Sequence, residues 1–149
     1  MLTLLLTILT AQADNLYKKY NWESLPVIEI WPESNITVQE VEKAMKYWNE
    51  EVGFEYAKVK KVAYCSLNKE STIQITDGRH IENARELGMT HVHTYHYEGS
   101  KRVKYVDYAI VSIPTNAQDY HKENLIKHEL GHAIGYGHSD HIIMQPVLH

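Results

Sequence analysis

Apolar residues recur along the chain with two different spacings. The longer spacing, of three to four residues, predicts a first helix over residues 38–52. The apolar positions that recur at intervals of three and four residues are Val38, Val41, Ala44, Met45 and Trp48. This spacing is typical of a helix with one apolar face. Thr37 and Glu40 form a capping-box pattern at its start, and Gly53 is suited to end it.

The shorter spacing, in which apolar and polar residues alternate and β-branched and aromatic residues are common, predicts five strands. They cover residues 25–31, 54–64, 71–76, 89–97 and 103–113. A second helix is predicted over residues 120–134. The order β-α-β-β-β-β-α predicts an α+β fold in which a mixed five-stranded sheet carries two main helices on one face.

Composition adds limits to this picture. A chain of 149 residues with 44% hydrophobic and 23% charged residues is expected to form one soluble domain, and we predict a monomer. The net charge of −4, without a long basic run, gives no support to nucleic-acid binding. Cys65 is the only cysteine and cannot form an internal disulfide, so we expect it to be a small buried residue in a strand.

Within residues 1–13, MLTLLLTILTAQA, the run from Leu2 to Thr10 is apolar and uncharged, and Ala11-Gln12-Ala13 fits a small-x-small pattern. This pattern predicts a secretory signal peptide cleaved before Asp14, which leaves a single domain at 14–149 and a secreted protein. The segment is too short for a helical membrane span, which needs about 20 residues. An N-terminal strand or buried helix, and an uncleaved membrane anchor, are the alternatives.

Histidines are concentrated near the C-terminus, in IKHELGHAIGYGH at residues 126–138. His128 and His132 are four residues apart, so one helix face presents both imidazoles. Gly135 can adopt positive φ and end the helix, which lets His138 return to the same point. Three histidine ligands and an open fourth position are typical of catalytic Zn²⁺.

Glu129 follows His128 and is turned about 100° from it on the helix. It is therefore not placed to bind the metal, but it can reach a water molecule in the open position. A carboxylate there can act as a general base for metal-activated water. The pattern predicts metal-assisted hydrolysis of peptide bonds without a covalent intermediate, and with the resemblance described next our leading hypothesis is a zinc-dependent endopeptidase.

HELGHAIGYGH resembles the metzincin signature HExxHxxGxxH, and HIIMQP is similar to the Met-turn that follows that signature. The resemblance is closest to matrixin-like metallopeptidases. It implies a zincin fold with His128, His132 and His138 as zinc ligands and Glu129 as general base. It also implies that Met144 forms a hydrophobic floor under the metal, and that an edge strand binds extended polypeptide substrates.

The chain departs from the matrixin pattern after the third histidine. The connection from His138 to Met144 is about two residues shorter, so we expect a very short Met-turn subdomain, and Gln145 stands where tyrosine is common. The rival hypothesis is a non-catalytic, zinc-stabilised domain of the same fold that binds a peptide or protein. The intact Glu129 favours the enzyme, because a structural zinc site needs no base.

Five further positions carry open interpretations. His91 and His93 share a strand face and form either an exposed edge surface or a second metal site, although no clear motif supports Ca²⁺ or a second Zn²⁺. Asp107 is either a satisfied polar residue or part of a cation site. His141 is expected in an exposed turn, and Asp140 is a candidate hydrogen-bond partner for a ligand imidazole.

Overall fold

The computed structural model describes residues 15–79, 88–100, 102–117 and 119–146. The predicted signal peptide, residues 1–13, lies outside the described residues. Within these ranges, neither helix combines the length and apolar character needed to cross a bilayer.

Seven strands and two helices make up the described chain. In chain order they are β1 (Tyr17–Lys18), β2 (Val27–Ile30), α1 (Val38–Val52), β3 (Lys58–Lys61), β4 (Thr72–Thr76), β5 (Met89–Tyr95), β6 (Tyr105–Ser112), α2 (Asp119–Ala133) and β7 (Tyr136–Gly137). The predicted α+β class, with a mixed five-stranded sheet and two helices, is confirmed. The two-residue strands β1 and β7 were not predicted, and β3 is shorter than expected.

The main sheet has the strand order β3-β2-β4-β6-β5. All neighbours are parallel except β5, which runs antiparallel to β6 and forms one edge. The register aligns Ile28 with Ile73 and Ile73 with Ala109, so apolar side chains form a row across one face. Both helices contribute to the core on this face, as the sequence predicted.

The first helix begins with the predicted capping box. The Thr37 hydroxyl accepts from the Glu40 amide at 3.2 Å, and the Glu40 carboxylate accepts from the Thr37 amide at 2.8 Å. Gly53 ends the helix with φ 69°. The fully buried Trp48 donates from Nε1 to the Lys127 carbonyl at 2.8 Å, which ties α1 to α2.

The other face of the sheet carries buried polar residues near its centre. Glu29 and Gln74 lie there, covered by the connection between β3 and β4. Lys69 reaches the Glu29 carboxylate at 2.5 Å, and Ser66 accepts from the Gln74 amide through its carbonyl. Cys65 lies in this connection and is exposed. The prediction of a buried strand cysteine is wrong, because the strand ends at Lys61 and the covering loop exposes Cys65 to solvent.

Candidate metal centre

The three predicted histidine side chains converge. His128 and His132 project from the last two turns of α2, and His138 returns from the segment after the helix. The His132 Nε2 atom lies 3.1 Å from His128 Nε2 and 3.2 Å from His138 Nε2. Among the described residues, this is the one group of three or more potential ligands close enough to hold a metal ion.

Backbone carbonyls fix the proton positions on two of these rings. His128 Nδ1 lies 2.6 Å from the Ile143 carbonyl oxygen, and His132 Nδ1 lies 2.8 Å from the Tyr136 carbonyl oxygen. A carbonyl only accepts, so each Nδ1 carries a proton and each Nε2 presents a lone pair. Hydrogen bonds of this kind orient metal-binding histidines and increase their basicity.

The resulting donor set could hold a metal ion. For comparison, zinc–nitrogen bonds of 2.0–2.1 Å in tetrahedral geometry require nitrogen–nitrogen separations of about 3.3 Å, close to the two distances at His132. Burial lowers the pKa of His132 to about 4, although the hydrogen bond to the Tyr136 carbonyl acts in the opposite direction. Burial also lowers the pKa of His128. Both rings are therefore held neutral at pH 7, as metal coordination requires.

Gly135 provides the bend that brings the third histidine back. Its φ is 114°, and its carbonyl accepts from the amides of Lys19 and Tyr20 at 2.7 and 3.1 Å. A Cβ atom at this position would overlap the Tyr20 carbonyl. β1 pairs with β7 directly beyond the bend, and Trp22 Nε1 donates to the Ala133 carbonyl at 3.0 Å. The N-terminal segment thus holds the bend in place.

Met144, the residue expected to form a floor under the metal, lies against α2. It is fully buried, and its sulfur packs against α2 at Gly131, where a Cβ atom would overlap it. The same missing Cβ makes room for the ring of Trp48. Gly131 is therefore the position that lets a methionine and an aromatic ring approach α2 closely.

Glu129 lies beside the histidines and is held by a strand residue. Its carboxylate Oε2 accepts from the Thr90 hydroxyl at 2.6 Å, and the same hydroxyl lies 3.0 Å from the Glu129 carbonyl. The side chain is buried, and burial raises its pKa to about 7, while the Thr90 hydrogen bond acts in the opposite direction. A carboxyl group with this pKa can both accept and release a proton near neutral pH.

A cavity of about 600 Å³ lies over these residues. Glu129 and the three histidines line it together with Met89, Thr90 and Val92 of β5. On other sides it is lined by Tyr20 before the sheet and by Pro146, two residues after Met144. An edge strand, the histidine cluster and a buried carboxylate therefore share one open cleft.

The other histidine positions on β5 behave differently. His91 and His93 lie on the sheet face opposite the apolar row and are exposed. His93 stacks on Tyr108 with ring centroids 4.8 Å apart, and its Nδ1 lies 3.3 Å from Asp107 Oδ2. This supports the edge-surface interpretation, and it gives Asp107 a partner as a satisfied polar residue.

One expectation for the turn after His138 is wrong. His141 was expected to be exposed, but it is 4% exposed and packs between α1 and the turn. Asp140 is exposed. The carbonyls of Ile143 and Tyr136 orient the rings of His128 and His132, and the role of Asp140 as a partner for an imidazole stays a prediction.

Thr90 and Tyr20 are site residues that the sequence did not single out. Alternation along β5 places Thr90 on the same face as Val92, toward the core, so its position could have been deduced from the strand pattern. Tyr20 has no such signal, because it lies outside the strands and is placed by the hydrogen bond from its amide to the Gly135 carbonyl. No protein-family model and no curated protein matches the chain.

Proposed function

We propose that the chain is a zinc-dependent endopeptidase of the metzincin type, matrixin-like, that hydrolyses peptide bonds in extended polypeptides. The observation that carries this proposal is the meeting of three imidazole nitrogens beside a buried carboxylate in one cleft. A purely structural metal site requires the nitrogens but gains nothing from a buried acid next to them.

His128, His132 and His138 would hold the zinc ion. When bound, zinc polarises a peptide carbonyl and lowers the pKa of a water molecule. Glu129 accepts the proton from the attacking water and delivers it to the leaving amine. The Thr90 hydroxyl keeps the Glu129 carboxylate turned into the cleft, at 2.6 Å from Oε2.

The edge strand β5 is the proposed substrate platform. Among the described residues it has no neighbour on its outer side in the sheet, so its backbone can pair with an extended peptide. Thr90 lies on this strand and contacts Glu129. A peptide that adds to β5 therefore passes the proposed base. Main-chain pairing of this kind tolerates many side chains, which is consistent with an endopeptidase acting on extended polypeptides.

The test measures bound zinc and peptide cleavage in the same samples. We expect one zinc per chain and cleavage of a mixed peptide library that stops with a chelator and returns with added zinc. Glu129→Gln is expected to keep its zinc and to lose cleavage by about 10³-fold, within the range for general-base catalysis. Glu123→Gln is the matched control, because Glu123 lies on the exposed side of the same helix and pairs with Lys43 and Lys127.

The alternative is a non-catalytic, zinc-stabilised peptide- or protein-binding domain. It would use the same three histidines and the same strand β5. Wild-type protein that binds zinc and peptides but cleaves none of the library would support this alternative. Equal cleavage by wild type and Glu129→Gln would exclude Glu129 as the base.

A further inference from the structure

A buried polar cluster lies behind the Met-turn and has no part in the proposed chemistry. Its members are His141 in the turn and Tyr47 and Glu51 on α1. The His141 side chain is 3% exposed, and its ring lies 6.3 Å from the ring of Tyr47 and 6.0 Å from that of Trp48, between centroids. A buried imidazole needs partners for both ring nitrogens.

Both nitrogens of His141 have partners, and these define its tautomer. The Ile143 amide donates to Nδ1 at 3.3 Å. Since an amide N–H only donates, Nδ1 is the acceptor and the proton of the neutral ring is on Nε2. The Nε2 atom faces the Glu51 carboxylate at 3.3 Å and the Tyr47 hydroxyl at 3.3 Å. The ring therefore bridges α1 to the backbone of the turn.

Ile143 continues this connection to the metal centre. While its amide is held by His141, its carbonyl accepts from His128 Nδ1 at 2.6 Å. We propose that His141 is a positioning residue for the metal: it fixes the Ile143 peptide, and that peptide fixes the rotation of His128. Glu51 and Tyr47 hold His141 in turn. The inference rests on the proposed zinc site.

The short turn explains why such an anchor is needed. Within it, the Ser139 amide donates to the Met144 carbonyl at 3.0 Å, and the Met144 amide donates to the His141 carbonyl at 2.8 Å. These bonds close the turn on itself but do not attach it to α1. The His141 side chain makes that attachment. A helix without any metal ligand thereby sets the orientation of one ligand.

Zinc affinity is the readout, measured on the full chain by competition with a chromophoric chelator. The visible absorption of bound Co²⁺ reports ligand geometry in parallel. His141→Leu removes the acceptor for the Ile143 amide, and we expect zinc affinity to fall about 10–100-fold, as for other residues that orient metal ligands. His141→Asn retains an oxygen that can accept from this amide and is expected to recover most of the affinity.

Glu51→Gln provides a second variant that leaves the turn sequence intact. We expect a several-fold loss of zinc affinity, whereas the matched control Glu50→Gln should not change it. Glu50 lies next along the same helix, is exposed, and is 4.0 Å from Lys46. If His141→Leu does not fold, the comparison of Glu51→Gln with Glu50→Gln decides the question.

Three results would overturn the proposal. One is His141→Leu with lower stability but unchanged zinc affinity and Co²⁺ absorption, which would make His141 a packing residue. The others are equal losses in His141→Leu and His141→Asn, and equal affinities in Glu51→Gln and Glu50→Gln. Zinc affinity is measured without peptide, so an absence of peptidase activity leaves this test intact. Failure of the wild type to bind zinc would overturn the metal site and this proposal together.

Discussion

Two groups of histidines in this protein differ in whether their side chains converge. On and after α2, three imidazoles meet with nitrogens 3.1 and 3.2 Å apart. On β5, His91 and His93 also share a face, but successive residues on one side of a strand are about 6.6 Å apart. His93 instead stacks on Tyr108 and contacts Asp107.

The difference lies in the backbone between the histidines. A helix turn stacks residues i and i+4, and the Gly135 bend returns the chain to the same point. A strand keeps its side chains parallel, so they do not converge without a second element. Histidine number is therefore a weaker sign of a metal site than the geometry that connects the histidines.

The largest expected effect comes from removing one histidine of the convergent group. His132→Ala should weaken zinc binding by at least about 10³-fold, because a three-ligand site becomes a two-ligand site. His93→Ala is the control from the strand group and should leave zinc affinity unchanged. Both are measured by chelator competition. Similar losses in the two variants would show that the metal is bound elsewhere.

The bend can be tested with a matched pair of glycines. Gly135→Ala should lower the free energy of unfolding by about 3 kcal/mol, because it combines backbone strain with overlap at the Tyr20 carbonyl. Gly99, in the turn after β5, has φ 87° but open space around it. Gly99→Ala should cost about 1 kcal/mol from strain alone. Urea denaturation of both variants measures the difference, and equal losses would contradict a close approach at Gly135.

Burial of His132 and Glu129 should also make the free energy of unfolding depend on pH in protein from which a chelator has removed any metal. The pKa of His132 is about 4 in the folded chain against an ordinary 6.5. Protonation therefore favours the unfolded state, and the contribution of His132 to stability is lost as pH falls from about 6.5 to about 4. The raised pKa of Glu129 acts in the opposite direction between about 4.5 and 7.

The variant His132→Asn separates these two contributions, since Glu129 remains in both proteins. Wild type should lose more stability than His132→Asn between pH 6.5 and pH 4, as measured by urea denaturation across that range. Parallel curves for the two proteins would show that His132 is not desolvated in the folded chain.

The smallest change in stability is expected for the pair of His93 on β5 and Asp107 on β6. Asp107→Asn disturbs a contact in which the His93 side chain is 57% exposed, and such pairs contribute little, about 0.5 kcal/mol or less. Thermal unfolding with and without Ca²⁺ measures this. Stabilisation of the wild type by Ca²⁺ that disappears in Asp107→Asn would instead reveal a cation site there.

The sequence alone determined the parts of the molecule that depend on local spacing. The capping box at Thr37, the apolar stripe of α1 and the strand periods identified the α+β class, because these are short-range properties of the backbone. The placement of His128 and His132 on one helix face, and of a glycine before His138, predicted the convergence for the same reason.

Only the tertiary structure decided which distant residues complete the site. Tyr17 of β1 pairs with Gly137 of β7, far along the chain, and a two-residue strand is too short to show a periodic pattern. His141 is buried because α1 supplies Tyr47 and Glu51, which lie about ninety residues earlier. Contacts of this kind depend on packing between elements, and no local pattern of residues encodes them.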